Sequence, residues 1–185
     1  QFAAPPPAPP APPAAVAVPA VRPVFALLDA AGKSRSITEW DGKALAINFW
    51  ATWCPPCRRE IPMLNDLHRR HAADGFEVVG VAVDFRESVL EYLRKTPVAY
   101  PVLIGEQDGL DAARAFGMES MGFPFTIFTD RQGRILTVHV GELHAPEAEA
   151  IVVVINAVDA GEVSLEAARV RIRDIMADRK ALAGS

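Results

Sequence analysis

An apolar run, Ala44 to Trp50, is followed after three residues by Cys54-Pro55-Pro56-Cys57 and then by Ile61, Leu64, Leu67 and His71 at helical spacing. A strand that is apolar on both faces, Asn48 excepted, requires helices on both sides to cover it. Running so directly into a helix, it forms the first half of a βα unit, so the chain is expected to be an α/β protein. Its two cysteines, the only ones present, sit at the junction. Two intervening residues let one helical turn bring both sulfurs within bonding reach, and a Cys-x-x-Cys beside a βα pattern reads as a redox dithiol. The expected activity is thiol-disulfide exchange.

The roles of the two sulfurs follow from their places on the helix. Pro55 suits the first helical position, where a missing N–H costs nothing, and this puts Cys54 at the N-cap with backbone donors aimed toward its sulfur. Partial positive charge at that end favours thiolate over thiol and typically brings a cysteine pKa from ~8.5 into the range ~3.5–7.5. Cys54 is therefore expected to attack. Cys57, one turn further in and more buried, is expected to resolve the mixed disulfide. Two other uses of the pair are a structural disulfide, whose loop is too small to constrain the unfolded chain much, and half of a zinc site. Zinc would need a second Cys/His pair at ligand spacing, and the sequence shows none.

Half of the 185 residues are hydrophobic, enough for a real core. The net charge of −4, with basic residues scattered among acidic ones, leaves no footprint for nucleic acid. No apolar run approaches the ~20 residues of a membrane helix, so the chain is expected to be soluble. Residues 1–23 are mostly Pro and Ala, with no charge before Arg22, and read as an extended spacer. The sequence starts at Gln and shows neither a charged nor an apolar leader region, which points to a targeting or anchoring segment upstream. A spacer lifting a catalytic domain off a membrane would have this composition; so would a disordered tail without a role.

From Val24 the pattern is α/β. Expected strands are Val24 to Leu28, Ser36 to Thr38, Ala44 to Trp50, Phe76 to Val83 and Val102 to Ile104, with a hairpin of Phe125 to Thr129 and Ile135 to Val140 around the turn Asp130 to Gly133. Expected helices are Pro56 to Ala73, ended by Asp74-Gly75, then Ser88 to Lys95, Leu110 to Phe116, Pro146 to Ala160 and Ser164 to Leu182. Leu165, Ala168, Ile172, Ile175 and Met176 give the last helix an apolar stripe, so it should pack on the domain. The organisation expected is a spacer over 1–23, a globular domain over 24–160 and a helical extension over 161–185.

The string from Asn48 through Trp53-Cys54-Pro55-Pro56-Cys57-Arg58-Arg59-Glu60-Ile61-Pro62 resembles the active-site segment of thioredoxin-fold proteins. Within them it is most similar to the TlpA/ResA-like thiol-disulfide oxidoreductases of the bacterial cell envelope. The likeness continues through Val79 to Asp84, Tyr100 to Leu103 and Gly122 to Ile135. It implies a thioredoxin-like fold, a central mixed β-sheet flanked by helices, to which this chain adds a C-terminal helix. It also implies that Pro124 is the family's cis-proline beside the dithiol, leaving the Phe123 backbone free to pair with an extended substrate segment; without the resemblance, Pro124 reads as an ordinary trans proline heading a strand. Trp53 and Pro55 join Phe123 as expected substrate contacts. Glu60 matches a family carboxylate positioned to move the proton of Cys57 and to raise the thiol pKa values, against the alternative of a solvated helix residue. Asn48 departs from the aspartate of thioredoxins proper, and an amide exchanges no proton at neutral pH. Pro55-Pro56 departs from Gly-Pro and removes a donor from the vicinity of the Cys54 sulfur.

The resemblance further implies protein substrates bearing thiols or disulfides, a membrane thiol reductase as electron donor, a periplasmic location, and a reductase role of the cytochrome c or copper-centre maturation type. No cofactor is implied, because the dithiol itself carries the two electrons. A second hypothesis is a copper-handling protein in which the dithiol binds metal with Met118, Met121 and His139 as soft ligands. His68 and His71, three apart, read as covering the core edge rather than binding metal. A thiol peroxidase is the weakest fit, since no Thr-x-x-Cys precedes the helix.

Overall fold

The computed structural model describes residues 17–118 and 122–183. A seven-stranded mixed sheet has the order β2-β1-β5-β4-β3-β6-β7. Its strands are β1 (Ala26–Asp29), β2 (Ser34–Ser36), β3 (Ala44–Trp50), β4 (Phe76–Val83), β5 (Val102–Gly105), β6 (Phe125–Thr129) and β7 (Ile135–Val140). The helices are α1 (Pro55–His71), α2 (Arg86–Lys95), α3 (Gln107–Ala115), α4 (Ala145–Asp159) and α5 (Leu165–Ala183). β3 pairs in parallel with β4 and antiparallel with β6, so it lies inside the sheet. Every residue of β3 and of β4 is buried.

Alternation along β3 divides the core. Ala44 and Ala46 face a layer made with Leu64 and Leu67 of α1 and Ile151, Val152 and Ile155 of α4. Leu45, Ile47 and Phe49 face the opposite layer, with Ala112 and Ala113 of α3, Phe116, and Ile37 and Trp40 near the sheet edge. The period of two in a strand produces this split. α5 extends the first layer: Ala168 and Ile172 of its stripe are fully buried, and Leu165, Ile175 and Met176 are partly buried against the same core. Arg169 also donates from Nε and Nη2 to the Ile135 carbonyl, at 3.2 and 2.7 Å, satisfying an acceptor at the sheet edge.

One expectation is corrected, and one segment proves to be bonded to the sheet. Ser36-Ile37-Thr38 is not a strand: Ser36 ends β2 and caps a 3-10 turn over Ile37–Trp40. Thr38 N–H donates to Ser36 Oγ at 3.3 Å and Ser36 N–H to Glu39 Oε1 at 3.2 Å, the reciprocal pair that Ser-x-x-Glu forms at a helical start. Residues 20–22, counted above with the spacer, are not free chain: Ile135 N–H donates to the Ala20 carbonyl at 2.9 Å and Arg22 N–H to that of Gly133 at 2.8 Å. Residues 1–16, the greater part of that spacer, lie outside the described residues. Among the described residues no helix is long and apolar enough to cross a membrane.

β5 feeds α3 through a close approach. A Cβ at Gly105 would lie 2.6 Å from the Gly109 nitrogen and 2.8 Å from the Gly109 Cα, both backbone atoms of α3 that cannot rotate aside. Gly105→Ala is therefore expected to destabilise the fold by about 1–3 kcal/mol through overpacking, visible as a lower denaturant midpoint at unchanged slope. An unaltered midpoint would mean that α3 shifts freely on the sheet.

Candidate active site

β3 ends at Trp50, and the link Ala51 to Trp53 turns the chain so that Cys54 becomes the N-cap of α1. Asp84, at the end of the neighbouring β4, holds this link by accepting from Thr52 N–H at 3.0 Å and from Thr52 Oγ1 at 2.5 Å. Cys54 and Cys57 form a disulfide with their Cα atoms 5.3 Å apart. Prolines fill the first two helical positions, and Pro56, at the second, removes one of the N–H groups that an N-cap side chain normally meets. The Cys57 N–H donates to Cys54 Sγ at 3.4 Å. Cys57 is fully buried, whereas Cys54 keeps 3% of its surface.

Around the sulfurs stand Phe123, Pro124, Trp53 and Pro55. The Phe123–Pro124 peptide is cis, and the Phe123 carbonyl oxygen lies 3.6 Å from Cys54 Sγ. The Trp53 side chain is 65% exposed, its ring centroid 6.2 Å from that of half-buried Phe123, and Pro55 is exposed beside them. These groups offer an apolar surface and backbone polar groups next to Cys54, the less buried of the two cysteines.

Beneath the dithiol, Glu60 is 1% exposed. Its solvated alternative is thus overturned, because α1 turns this position toward β3 and β6. Glu60 Oε1 accepts from Asn48 Nδ2 at 2.6 Å, and Oε2 accepts from Leu143 N–H at 2.8 Å. The same amide nitrogen donates to Thr126 Oγ1 at 3.0 Å. Burial pushes the Glu60 carboxyl from 4.5 up to about 7, against the two hydrogen bonds, which favour the charged form; the Glu142 carboxylate pushes it further up. Asn48 Oδ1 has no hydrogen-bond partner among the described residues. An amide turned about its terminal bond presents that oxygen to Glu60, so Asn48 can donate to the carboxylate and accept from the protonated acid. The amide can bond to the carboxyl in both protonation states without titrating itself.

Gly80 makes room on the same side of the sheet. A Cβ there would meet Tyr100 Cε2 at 3.0 Å and Trp50 Nε1 at 3.3 Å. Burial, then the charge of Glu60, then that of Tyr92 push the Tyr100 hydroxyl well above its ordinary range, so it remains a neutral phenol. The other candidates lie apart from this chemistry. His68 hydrogen-bonds to Glu77 and His71 to Glu149. Met118 is buried in the layer around Phe49 and Phe116, and the His139 ring nitrogen meets the Glu142 carbonyl at 3.1 Å. Met121 lies outside the described residues. No group of three or more His, Cys, Asp or Glu side chains suited to a metal ion occurs among the described residues.

Residues 13–152 match the family model described as Redoxin, which is most of the chain. The chain belongs to the Redoxin family. It is similar to the thiol-disulfide oxidoreductase ResA of Geobacillus thermodenitrificans, 32% identical over 127 residues that span 68% of this chain and 71% of that one. It is likewise similar to the thioredoxin-like protein YneN of Bacillus subtilis, 33% identical over 131 residues, 69% and 74% of the two chains. Among solved structures, a thioredoxin-family thiol:disulfide interchange protein from Chlorobium tepidum TLS superposes with a TM-score of 0.62 at 32% identity, covering 70% of this chain and 91% of that one. This Redoxin-family protein has the thioredoxin fold and is a protein-disulfide oxidoreductase with Cys54 and Cys57 as its Cys-x-x-Cys pair.

Sequence reasoning missed Asp84 and Thr52 as anchors of the dithiol loop, Thr126 as the partner of Asn48, and Leu143 N–H as the donor to Glu60. Asp84 lay inside the string that carried the resemblance, at the carboxyl end of a buried strand, where α/β proteins place functional groups. Thr126 and Leu143 lie 78 and 83 residues from their partners and leave no local signal.

Proposed function

We propose that the protein reduces disulfides in proteins of the bacterial envelope, with Cys54 as nucleophile, Cys57 as resolving thiol and Glu60 as the group that takes the resolving proton. The observation that carries this reading is the buried Glu60 carboxyl one turn beyond Cys57, whose negative charge opposes thiolate formation in the dithiol. Pro56 withdraws the donor of the second helical position from the Cys54 sulfur and leaves it the Cys57 N–H at 3.4 Å. A dithiol whose thiolate is strongly stabilised is a strong oxidant, because its reduced form is favoured. Here the balance runs the other way and favours a reductant.

In the forward direction the Cys54 thiolate attacks a substrate disulfide, and one substrate thiolate leaves. Cys57 then attacks the Cys54 sulfur, its proton passes to the Glu60 carboxylate, and the second substrate thiolate departs. Two electrons move from the dithiol to the substrate, leaving the Cys54–Cys57 disulfide. Trp53, Pro55 and Phe123 hold the substrate segment, and Pro124 sets the backbone of Phe123 beside Cys54. The likeness to TlpA/ResA-like proteins supports a periplasmic location, a membrane thiol reductase as the donor that restores the dithiol, and substrates of the cytochrome c or copper-centre maturation type. Residues 1–23 are then a spacer from a membrane tether, with residues 20–22 as its docked end.

Equilibration with glutathione redox buffers tests the direction. A midpoint on the thioredoxin side, near ~−270 mV, is expected; one near ~−120 mV, the value of a strong oxidant, would overturn the reductase reading.

A further inference from the structure

The Gly141-Glu142-Leu143 segment between β7 and α4 bonds to Pro124 and Glu60 of the site and to their neighbours Arg59 and His139. Gly141, at a φ of 97° that favours glycine, donates its N–H to the Pro124 carbonyl at 2.8 Å. Leu143 donates its N–H to Glu60 Oε2 at 2.8 Å, and the Glu142 carbonyl meets His139 Nε2 at 3.1 Å. The Glu142 side chain, through Oε2, accepts from Arg59 Nε at 3.0 Å and Nη2 at 2.7 Å. Arg59 immediately precedes Glu60 on α1, so the ion pair ties the loop to the turn of helix that carries the buried carboxyl.

We propose that Arg59 and Glu142 are positioning residues for Glu60: their ion pair, carried beside it by α1 and the loop, sets the local charge under which that carboxyl takes and releases a proton. The inference rests on the reading of Glu60 as the proton acceptor for Cys57. Charged and titratable groups reach Glu60 from each neighbouring element. Cys57 lies one turn back on α1, Tyr100 precedes β5, and Glu142 stands in the loop; β3 and β6 present the neutral side chains of Asn48 and Thr126. His139 of β7 faces the Glu142 carbonyl and is held below its ordinary value by burial, and His144 acts on Glu142.

Charge and scaffolding make different predictions. Glu142→Gln keeps an acceptor for Arg59 but removes a negative charge that opposes ionisation of Glu60, so Glu60 should titrate lower. Arg59→Gln keeps a donor for Glu142 but leaves that carboxylate uncompensated, so Glu60 should titrate higher. Were the pair only a mechanical clip, both substitutions would loosen Leu143 N–H, weaken a bond to the charged form and raise the titration together.

The readout is the Glu60 side-chain carboxyl resonance, followed by carbon-13 NMR against pH in the full-length oxidised chain, where neither cysteine titrates. Opposite displacements of the two variants, each changing the protonation ratio by up to about fivefold, are expected for a solvent-facing pair. Displacements in one direction, or none, overturn the proposal. The underlying reading is tested separately, by the pH dependence with which Cys57 releases a chromophoric thiol preloaded on Cys54. A profile unchanged by Glu60→Gln overturns the role of Glu60 itself, and the proposal with it. A profile altered by Glu60→Gln beside one-directional NMR shifts overturns the ion-pair proposal alone.

Discussion

Cys57→Ala is expected to accumulate substrate proteins as mixed disulfides on Cys54, whereas Cys54→Ala should accumulate none. The expectation follows from the unequal surroundings of the two sulfurs. Cys54 is the N-cap, accepts the Cys57 N–H and lies 3.6 Å from the Phe123 carbonyl at the foot of the exposed rim. Cys57 is fully buried, packed with Trp50, Ile61 and Val89. A substrate disulfide can reach the first sulfur and not the second. Without Cys57 the covalent adduct has no internal thiol to resolve it, and turnover falls to the rate at which external thiols reach a recessed bond. Without Cys54 no adduct forms. Non-reducing electrophoresis of extracts distinguishes the variants, and equal trapping by both would reverse or abolish the assignment of roles.

Glu60→Gln is expected to change the pH dependence of stability. The folded protein raises this carboxyl from 4.5 to about 7 by burying it. Below pH 4.5 the group is protonated in both states and the stability it contributes is fully present. Between there and pH 7 the folded state binds more protons than the unfolded one, so stability falls as pH rises, and above pH 7 the loss is complete. A displacement of this size corresponds to about 3 kcal/mol. The neutral amide lacks this dependence, so relative to wild type Glu60→Gln should gain about that much stability between pH 4 and pH 8. Urea denaturation of both oxidised proteins across this range measures it, and parallel curves would mean that the buried carboxyl is not perturbed. In the reduced protein the same substitution should lower the thiol pKa values, because it removes a negative charge that opposes thiolate formation.

Much of the architecture was legible because it is encoded over short distances. β3 and β4 have the bounds that their largely apolar runs indicate, and the β6–β7 hairpin turns through Asp130 to Gly133. Pro55 opens α1 and puts Cys54 at its cap by constraints confined to four residues. The miss at Ser36 was also local: the strand reading followed β-prone Ile37 and Thr38 and overlooked Glu39, whose side chain closes the cap.

The sequence by itself determined that this chain has a βα unit with two sulfurs at its junction, and that Asn48 rather than an acid stands beneath them. It could place Glu60 three residues after Cys57, on the same side of a helix. Only the tertiary structure decided what that carboxyl is. Its partners come from Asn48, 12 residues away, and Leu143, 83 residues away, and β3, β6 and the loop after β7 together exclude water from it. A helix propensity or an apolar period is a property of neighbouring residues and survives in a linear text. The ionisation of a carboxyl depends on the solvent it has lost and the charges brought near it, and these exist only once distant segments have packed.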